Sequence, residues 1–208
     1  MLCRVLQQVI DRLSGLIHKF VQIALLRAGP QELPALQVVL WIALAFVFFT
    51  SLAGLLFAYP VVDAVIRCLA AIVIPAIILF VALWMKSMQS RFLQSYMAIC
   101  GASAVVYVVA LPLMPLFFTA SVSSLSGKLV VMAILLIDVW MLLITAHIFK
   151  HTFNVGLATG FSLALGLMLL TLLGIEAIAP SPQVALEQQG SVSSEAANQY
   201  SLIENPSA

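Results

Sequence analysis

Charged residues are scarce in this chain. Only 8% of its 208 residues are Asp, Glu, Lys or Arg, and the formal net charge is +1. Soluble domains carry about 25% charged residues. A nearly neutral chain without a basic run offers no electrostatic surface for DNA or RNA, so we expect no nucleic-acid partner. With 63% hydrophobic residues and a mean hydropathy of +1.16, the composition indicates a protein whose solvent is the lipid bilayer.

Residues that carry out chemistry are also few. The three cysteines, Cys3, Cys68 and Cys100, are widely spaced and form no CxxC pair, which argues against a disulfide framework or a zinc site. The sequence contains no Walker loop, GxSxG or HExxH motif and no paired carboxylates. We therefore predict a protein that is not an enzyme and needs no cofactor.

What the chain does have is long apolar runs. Residues 129–149 hold a single charged residue, Asp138, and as a helix they would be about 30 Å long, the thickness of the hydrocarbon core of a bilayer. Four other segments of the chain are also long and apolar. We predict an all-α, polytopic membrane protein whose transmembrane domain, residues 29–179, has five spans: about 37–59, 65–85, 96–118, 129–149 and 155–179.

The two ends of the chain have a different character. In residues 1–28 apolar residues recur every three or four positions and the other face is basic, which predicts an amphipathic helix lying in the membrane interface. The alternative is a helix docked on the protein's own bundle or on a partner. Residues 180–208 are polar and contain no Lys or Arg, which is typical of a disordered tail.

The distribution of basic residues predicts an orientation. With five spans, seven of the nine lysines and arginines fall on the side of the N-terminus, and Arg67 and Lys128 fall on the other. The positive-inside rule then places the N-terminus in the cytoplasm and the C-terminus outside. The seven are Arg4, Arg12, Lys19, Arg27, Lys86, Arg91 and Lys150.

Asp138 is the candidate functional residue. A carboxylate at mid-membrane costs several kcal/mol unless it is paired, protonated or hydrated. It would face the bundle interior and bind a proton or cation, or it would be a neutral structural group hydrogen-bonded to a neighbour such as Thr145 or Ser103. No other predicted span offers a deep Lys or Arg as its partner.

Two further groups of residues are candidates for structural roles. Arg91, His147, Lys150 and His151 would form a cytoplasmic cationic edge; His147 and His151 have the i, i+4 spacing of a metal pair, but no third ligand is near, so we predict no metal. The small residues Gly101, Gly156, Gly160 and Ala164 predict helix-packing faces, against another helix of this chain or a second copy. Asp63 and Arg67, also four residues apart, could pair on one helix.

Three short motifs resemble the Yip (Ypt-interacting protein) domain family, in particular its short bacterial members. They are Leu33-Pro34 following residues 27–31, Arg91-Phe92-Leu93-Gln94 before Tyr96, and residues 147–151 at the end of the fourth span. The resemblance covers roughly residues 25–178. It implies five spans, a cytoplasmic N-terminus and a non-enzymatic membrane protein. Eukaryotic members bind small GTPases, and we do not carry this partner role over to the present chain.

These observations lead to two functional hypotheses. The first is a bacterial inner-membrane protein that scaffolds or assists assembly of a membrane or envelope complex, with another membrane protein or a second copy of itself as partner. The alternative is a small transporter or channel component that uses Asp138 for proton or ion coupling.

Overall fold

The structure, a computed structural model, describes residues 14–33, 36–119 and 124–180 of the chain. Within these ranges the protein is helical and contains no strand. The first half of the predicted interfacial helix and the predicted tail beyond Pro180 lie outside the described residues. The predictions for these two segments therefore remain predictions.

Seven helices follow one another along the described chain. Five of them are long and apolar enough to cross a membrane, which confirms the predicted number of spans and an integral membrane protein. The helices are α1 (14–24), α2 (Gln37–Leu55), α3 (Val61–Met85), α4 (Phe92–Ala110), α5 (Met114–Thr119), α6 (Leu125–Phe153) and α7 (Leu157–Ile178). Short 3-10 turns at Gln89–Arg91 and Leu111–Leu113 extend the third span to Gln89–Phe117.

Capping residues explain where the fourth span differs from the prediction. Helix α6 extends about one turn beyond the predicted run of 129–149 at each end. At its start the Ser124 hydroxyl accepts a hydrogen bond from the Gly127 backbone N–H at 3.0 Å, which satisfies one of the unpaired donors of a first turn. At its end Asn154 adopts a left-handed conformation with φ 53°, a common way to end a helix.

The spans alternate in direction, so the bundle has two ends. We call the end with the start of α4 and the end of α6 the Arg91 end, and the end with the start of α3 and the end of α7 the Arg67 end. Helix α4 is the most buried span; α2 packs along it on one side and α6 on another, while α7 packs against α6 and α3. Small residues in α4, among them Ala98, Ala102 and Ala104, allow this close packing.

Residues 14–33 close the Arg91 end. Helix α1 ends in a turn at Leu26, where φ is 60°, and the chain folds back so that the Lys19 ammonium donates to the carbonyl of Glu32 at 2.7 Å. Phe20, Ile23 and Ala24 are buried in the core of the bundle. The described part of the N-terminal segment is therefore a helix docked on the protein's own bundle, and an interfacial helix is not confirmed.

Candidate functional site

Arg67 lies at the centre of a polar cluster at the Arg67 end. Its side chain, on the second turn of α3, is buried, with 6% of the residue exposed. Nη2 donates to the Ala179 carbonyl at 2.6 Å, Nη1 lies 3.4 Å from a carboxylate oxygen of Glu176, and the guanidinium stacks 4.2 Å from the centre of the Tyr59 ring. Its Nε–H has no hydrogen-bond partner among the described residues.

This cluster corrects the pairing of Arg67 with Asp63. Asp63, on the first turn of α3, is exposed, and the guanidinium instead reaches across to the end of α7. There a carbonyl and a carboxylate lie together with the Tyr59 ring. A long arginine side chain gains more from these contacts than from an exposed ion pair on its own helix, which contributes about 0.3–0.5 kcal/mol.

A cavity of about 480 Å³ adjoins this cluster. It lies where α2, α3, α4, α5 and α7 converge, and Arg67 and Glu176 are its charged lining residues. Its volume falls within the range of about 300–1,000 Å³ that is usual for small-molecule sites. Most of its wall is apolar; Leu55, Met114 and Leu172 are examples. Two other cavities among the described residues are smaller, at about 120 and 40 Å³.

Asp138 lies halfway along α6 and is exposed. Asp138 makes no hydrogen bond to Thr145 or Ser103, the two predicted partners. The Thr145 hydroxyl donates to the Met141 carbonyl of its own helix at 2.9 Å, and Ser103 is buried within α4. Asp138 does not line the cavity beside Arg67. The carboxylate is therefore not inside the bundle, where the sequence analysis expected it.

The geometry of α6 explains this exposure. At 100° per residue Asp138 falls within about 40° of Phe149 and Thr152 around the helix, and both of these are buried. Toward the Arg91 end this stripe is covered by α4, whose Ser95 hydroxyl lies 2.8 Å from that of Thr152. Nothing among the described residues covers it at Asp138, although Tyr107 of α4 is near enough to interact electrostatically.

The cationic edge predicted from sequence is a set of structural contacts at the Arg91 end. Arg91 is exposed and donates from Nη1 to the carbonyl of Thr152 at 2.9 Å, and the hydroxyls of Ser95 and Thr152 are 2.8 Å apart and buried. The rings of His147 and His151 contact each other edge to face, with centroids 4.7 Å apart. Lys150 is exposed. Among the described residues no group of three His, Cys, Asp or Glu side chains could hold a metal.

Three of the four predicted small packing residues make close contacts within the chain. A Cβ on Gly160 would lie 2.7 Å from the Ala146 carbonyl of α6, and Ala164, one turn along, is buried. Gly101 faces the ring of Phe20. Gly156 differs, because it precedes the first turn of α7 and a Cβ there would meet nothing within 4 Å.

Sequence reasoning missed the link between Arg67 and Glu176 and the cavity beside it. A signal for the link was present. With five spans, the start of the second and the end of the fifth lie on the same side of the membrane, and each carries one of these opposite charges.

No protein-family model matches this chain, and neither a curated protein nor a solved structure is significantly similar to it. The resemblance to the Yip family therefore stays a prediction.

Proposed function

We propose that this chain is a non-enzymatic protein of the bacterial inner membrane that assembles with another membrane protein through the surface around Asp138. This Asp138 surface comprises Asp138 with the exposed Leu135 and Val139 of α6 and Val109 of α4. Ser95 of α4 contacts Thr152 of the antiparallel helix α6. Val109 lies fourteen residues after Ser95, and Asp138 lies fourteen residues before Thr152. We therefore place Val109 at the depth of Asp138 and include it in this surface.

The observation that carries this proposal is a mid-membrane carboxylate exposed on the outside of the bundle. In a lipid environment an aspartate at the centre of a helix costs about 2.5–3.5 kcal/mol on insertion scales. Every described lysine and arginine lies within about two turns of a helix end or in a connection between helices, so none reaches Asp138. A partner that covers the carboxylate with a donor would remove this cost.

The chemistry of Asp138 favours a particular kind of partner. An opposing helix with a Lys, Arg or hydrogen-bonding polar side chain at mid-membrane would complement the carboxylate. A second copy of this chain would bring a second Asp138 to the same depth, and two ionised carboxylates repel each other. We therefore propose a different membrane protein as the occupant, which accords with a role in assembling a membrane complex.

The charges at the two ends of the bundle support an orientation with the Arg91 end in the cytoplasm. Arg67 and Lys128 are the described Lys and Arg residues at the Arg67 end, and cytoplasmic connections carry the excess of such residues. The described basic residues at the Arg91 end are Lys19, Arg27, Lys86, Arg91 and Lys150.

Site-specific photo-crosslinking in the native membrane tests the assembly. A crosslinker placed at Leu135, one turn from Asp138, should trap one defined protein with a polar or basic residue within a span. The matched control is a crosslinker at Leu169, which is similarly exposed on α7 and should trap mainly lipid. Equal trapping of many proteins at both positions would contradict a specific surface.

Two substitutions at Asp138 then separate assembly from transport. Asp138→Leu should abolish the Leu135 crosslink, while the isolated protein stays folded and gains stability in lipid. Asp138→Asn, which keeps a hydrogen-bonding group, should largely retain the crosslink. If Asp138→Asn instead abolishes an ion or proton flux of the reconstituted protein and leaves the crosslink intact, the carboxylate serves transport and the assembly role is wrong.

A further inference from the structure

The buried guanidinium of Arg67 has more N–H donors than its hydrogen bonds to the described residues use. An arginine has five N–H donors in a rigid, planar arrangement. Here the two Nη atoms contact Glu176 and the Ala179 carbonyl, while Nε–H has no acceptor among the described residues. Unpaired buried donors are rare in folded proteins. An acceptor from outside the described chain is therefore expected beside Arg67.

The cavity next to Arg67 indicates the shape of the molecule that brings this acceptor. Its walls are mostly apolar and come from five helices, and its charged groups, Arg67 and Glu176, are together at the end of the bundle. A ligand that fits has an apolar body and a polar head that lies at the membrane boundary. These are the properties of a membrane lipid with a chain in the cavity and its head group at Arg67.

Glu176 narrows the chemistry of the head group. Its side chain is 43% exposed and lies 3.4 Å from the guanidinium, so a head group with an uncompensated negative charge would be repelled by it. A phosphate oxygen accepts well from an arginine, and a primary ammonium beside that phosphate could donate to the carboxylate. A quaternary ammonium has no N–H and could not.

We propose that the cavity at the Arg67 end binds one phospholipid whose head group carries both a phosphate and a primary ammonium, as in phosphatidylethanolamine. The phosphate accepts from a guanidinium N–H of Arg67 where this residue lines the cavity, the ammonium donates to Glu176, and an acyl chain fills the apolar part of the cavity. This site is separate from the Asp138 surface, because Asp138 is not among the residues that line the cavity.

Lipid exchange on the purified full-length protein tests this site. The protein, stripped of lipid in mild detergent, is incubated with phosphatidylethanolamine, phosphatidylglycerol or phosphatidylcholine of identical acyl chains, and bound lipid is counted by native mass spectrometry. We expect about one phosphatidylethanolamine per protein and weaker retention of the other two lipids. Equal retention of all three would mean ordinary boundary lipid and would overturn the proposal.

Two pairs of variants locate the binding. Arg67→Gln should weaken phosphatidylethanolamine binding by about tenfold or more, as expected for loss of a charge-assisted hydrogen bond, whereas Arg91→Gln, the same change at the other end, should not. Gly54→Leu, on the cavity wall, should fill the space and displace the lipid. Gly166→Leu, where a Cβ has open space, is its control and should have no effect. Undiminished binding to Arg67→Gln or to Gly54→Leu would overturn the proposal.

The rest of the chain provides one more test. Residues 181–208 follow directly after Pro180 and contain carboxylates that could themselves reach Arg67. Full-length protein and protein lacking residues 181–208 should bind phosphatidylethanolamine equally. If the lipid binds only to the shortened protein, the tail is the natural occupant of the cavity and the lipid site is wrong.

Discussion

The two ends of the bundle use the same interaction to different effect. At each end an arginine donates to the backbone carbonyl near the end of a neighbouring helix: Arg91 to Thr152 and Arg67 to Ala179. Arg91 is exposed at an end that residues 14–33 close, and Arg67 is buried at an end that keeps a cavity of about 480 Å³. The buried cation beside this space is the difference on which the proposed lipid site rests.

The largest difference in the free energy of unfolding is expected between two glycine-to-alanine substitutions, one against residues 14–33 and one at the cavity. At Gly101 a Cβ would collide with the ring of Phe20, which is itself buried, whereas at Gly54 the nearest atom is the Met114 Cγ at 3.9 Å. Gly101→Ala should therefore lower the free energy of unfolding by about 1–3 kcal/mol, and Gly54→Ala should leave it unchanged or raise it by up to about 1 kcal/mol. Unfolding of the purified variants in mixed detergent micelles measures both.

The cause of the Gly101 effect can be checked by a second substitution. Replacing Phe20 by Ala in the Gly101→Ala background removes the collision, so the two changes together should cost less than the sum of each alone. Additive costs would show that Phe20 is not what Gly101 accommodates.

Smaller effects should distinguish the two hydroxyls buried at the Arg91 end. Thr152→Val leaves the Ser95 hydroxyl buried without the partner it has in the structure and should cost about 1–3 kcal/mol. Ser95→Ala should cost less, about 0.5–1.5 kcal/mol, because the Thr152 hydroxyl still donates to the Ile148 carbonyl at 2.8 Å. Unfolding free energies of both variants and of the double variant test this order, and the reverse order would contradict it.

The attachment of α1 should be weakened by a change at Trp140. Trp140→Phe removes the hydrogen bond to the Ala24 carbonyl while keeping an aromatic ring, at an expected cost of about 0.5–1.5 kcal/mol. Limited proteolysis should then cut residues 14–33 faster, with cleavage elsewhere unchanged. The exposed Trp84 is the control, because Trp84→Phe should not alter the rate.

The smallest effects are expected from the carboxylates at the Arg67 end. Asp63→Asn should change the free energy of unfolding by no more than about 0.5 kcal/mol, since Asp63 is exposed and makes no bond to Arg67. Glu176→Gln should cost up to about 1 kcal/mol, because the ion pair is long and half exposed. If Asp63→Asn lowered the free energy of unfolding more than Glu176→Gln, the pairing of Asp63 with Arg67 that the sequence suggested would be supported instead.

Sequence patterns predicted the spans well because lipid imposes a simple requirement. A run of about 20 apolar residues has to be a helix that satisfies its own backbone in the membrane, and each of the five runs became one. The ends of α6 were harder to predict, because the helix continues beyond the apolar run as far as its capping residues, Ser124 and Asn154. The hydropathy of a segment contains no information on such capping interactions.

The partners of individual side chains were harder to predict for a physical reason. The spacing of Asp63 and Arg67 suggested a pair on one helix, yet Arg67 found better acceptors on α7. The apolar face of residues 14–24 indicated burial but not whether lipid or protein provides it, and Phe20 is buried against Gly101. Asp138 shares its helix face with buried residues, but only packing decides whether that face is covered at a given depth.

The left-handed turn at Asn154 has a consequence for how the protein enters the membrane. Only residues 154–156 separate the end of α6 from the start of α7, and Gly160 rests against the backbone of Ala146 just beyond them. Because a connection this short cannot extend across a bilayer, the two helices are expected to insert together as one helical hairpin. During synthesis Asp138 would then enter the membrane already accompanied by α7, so α6 would not have to partition into lipid by itself.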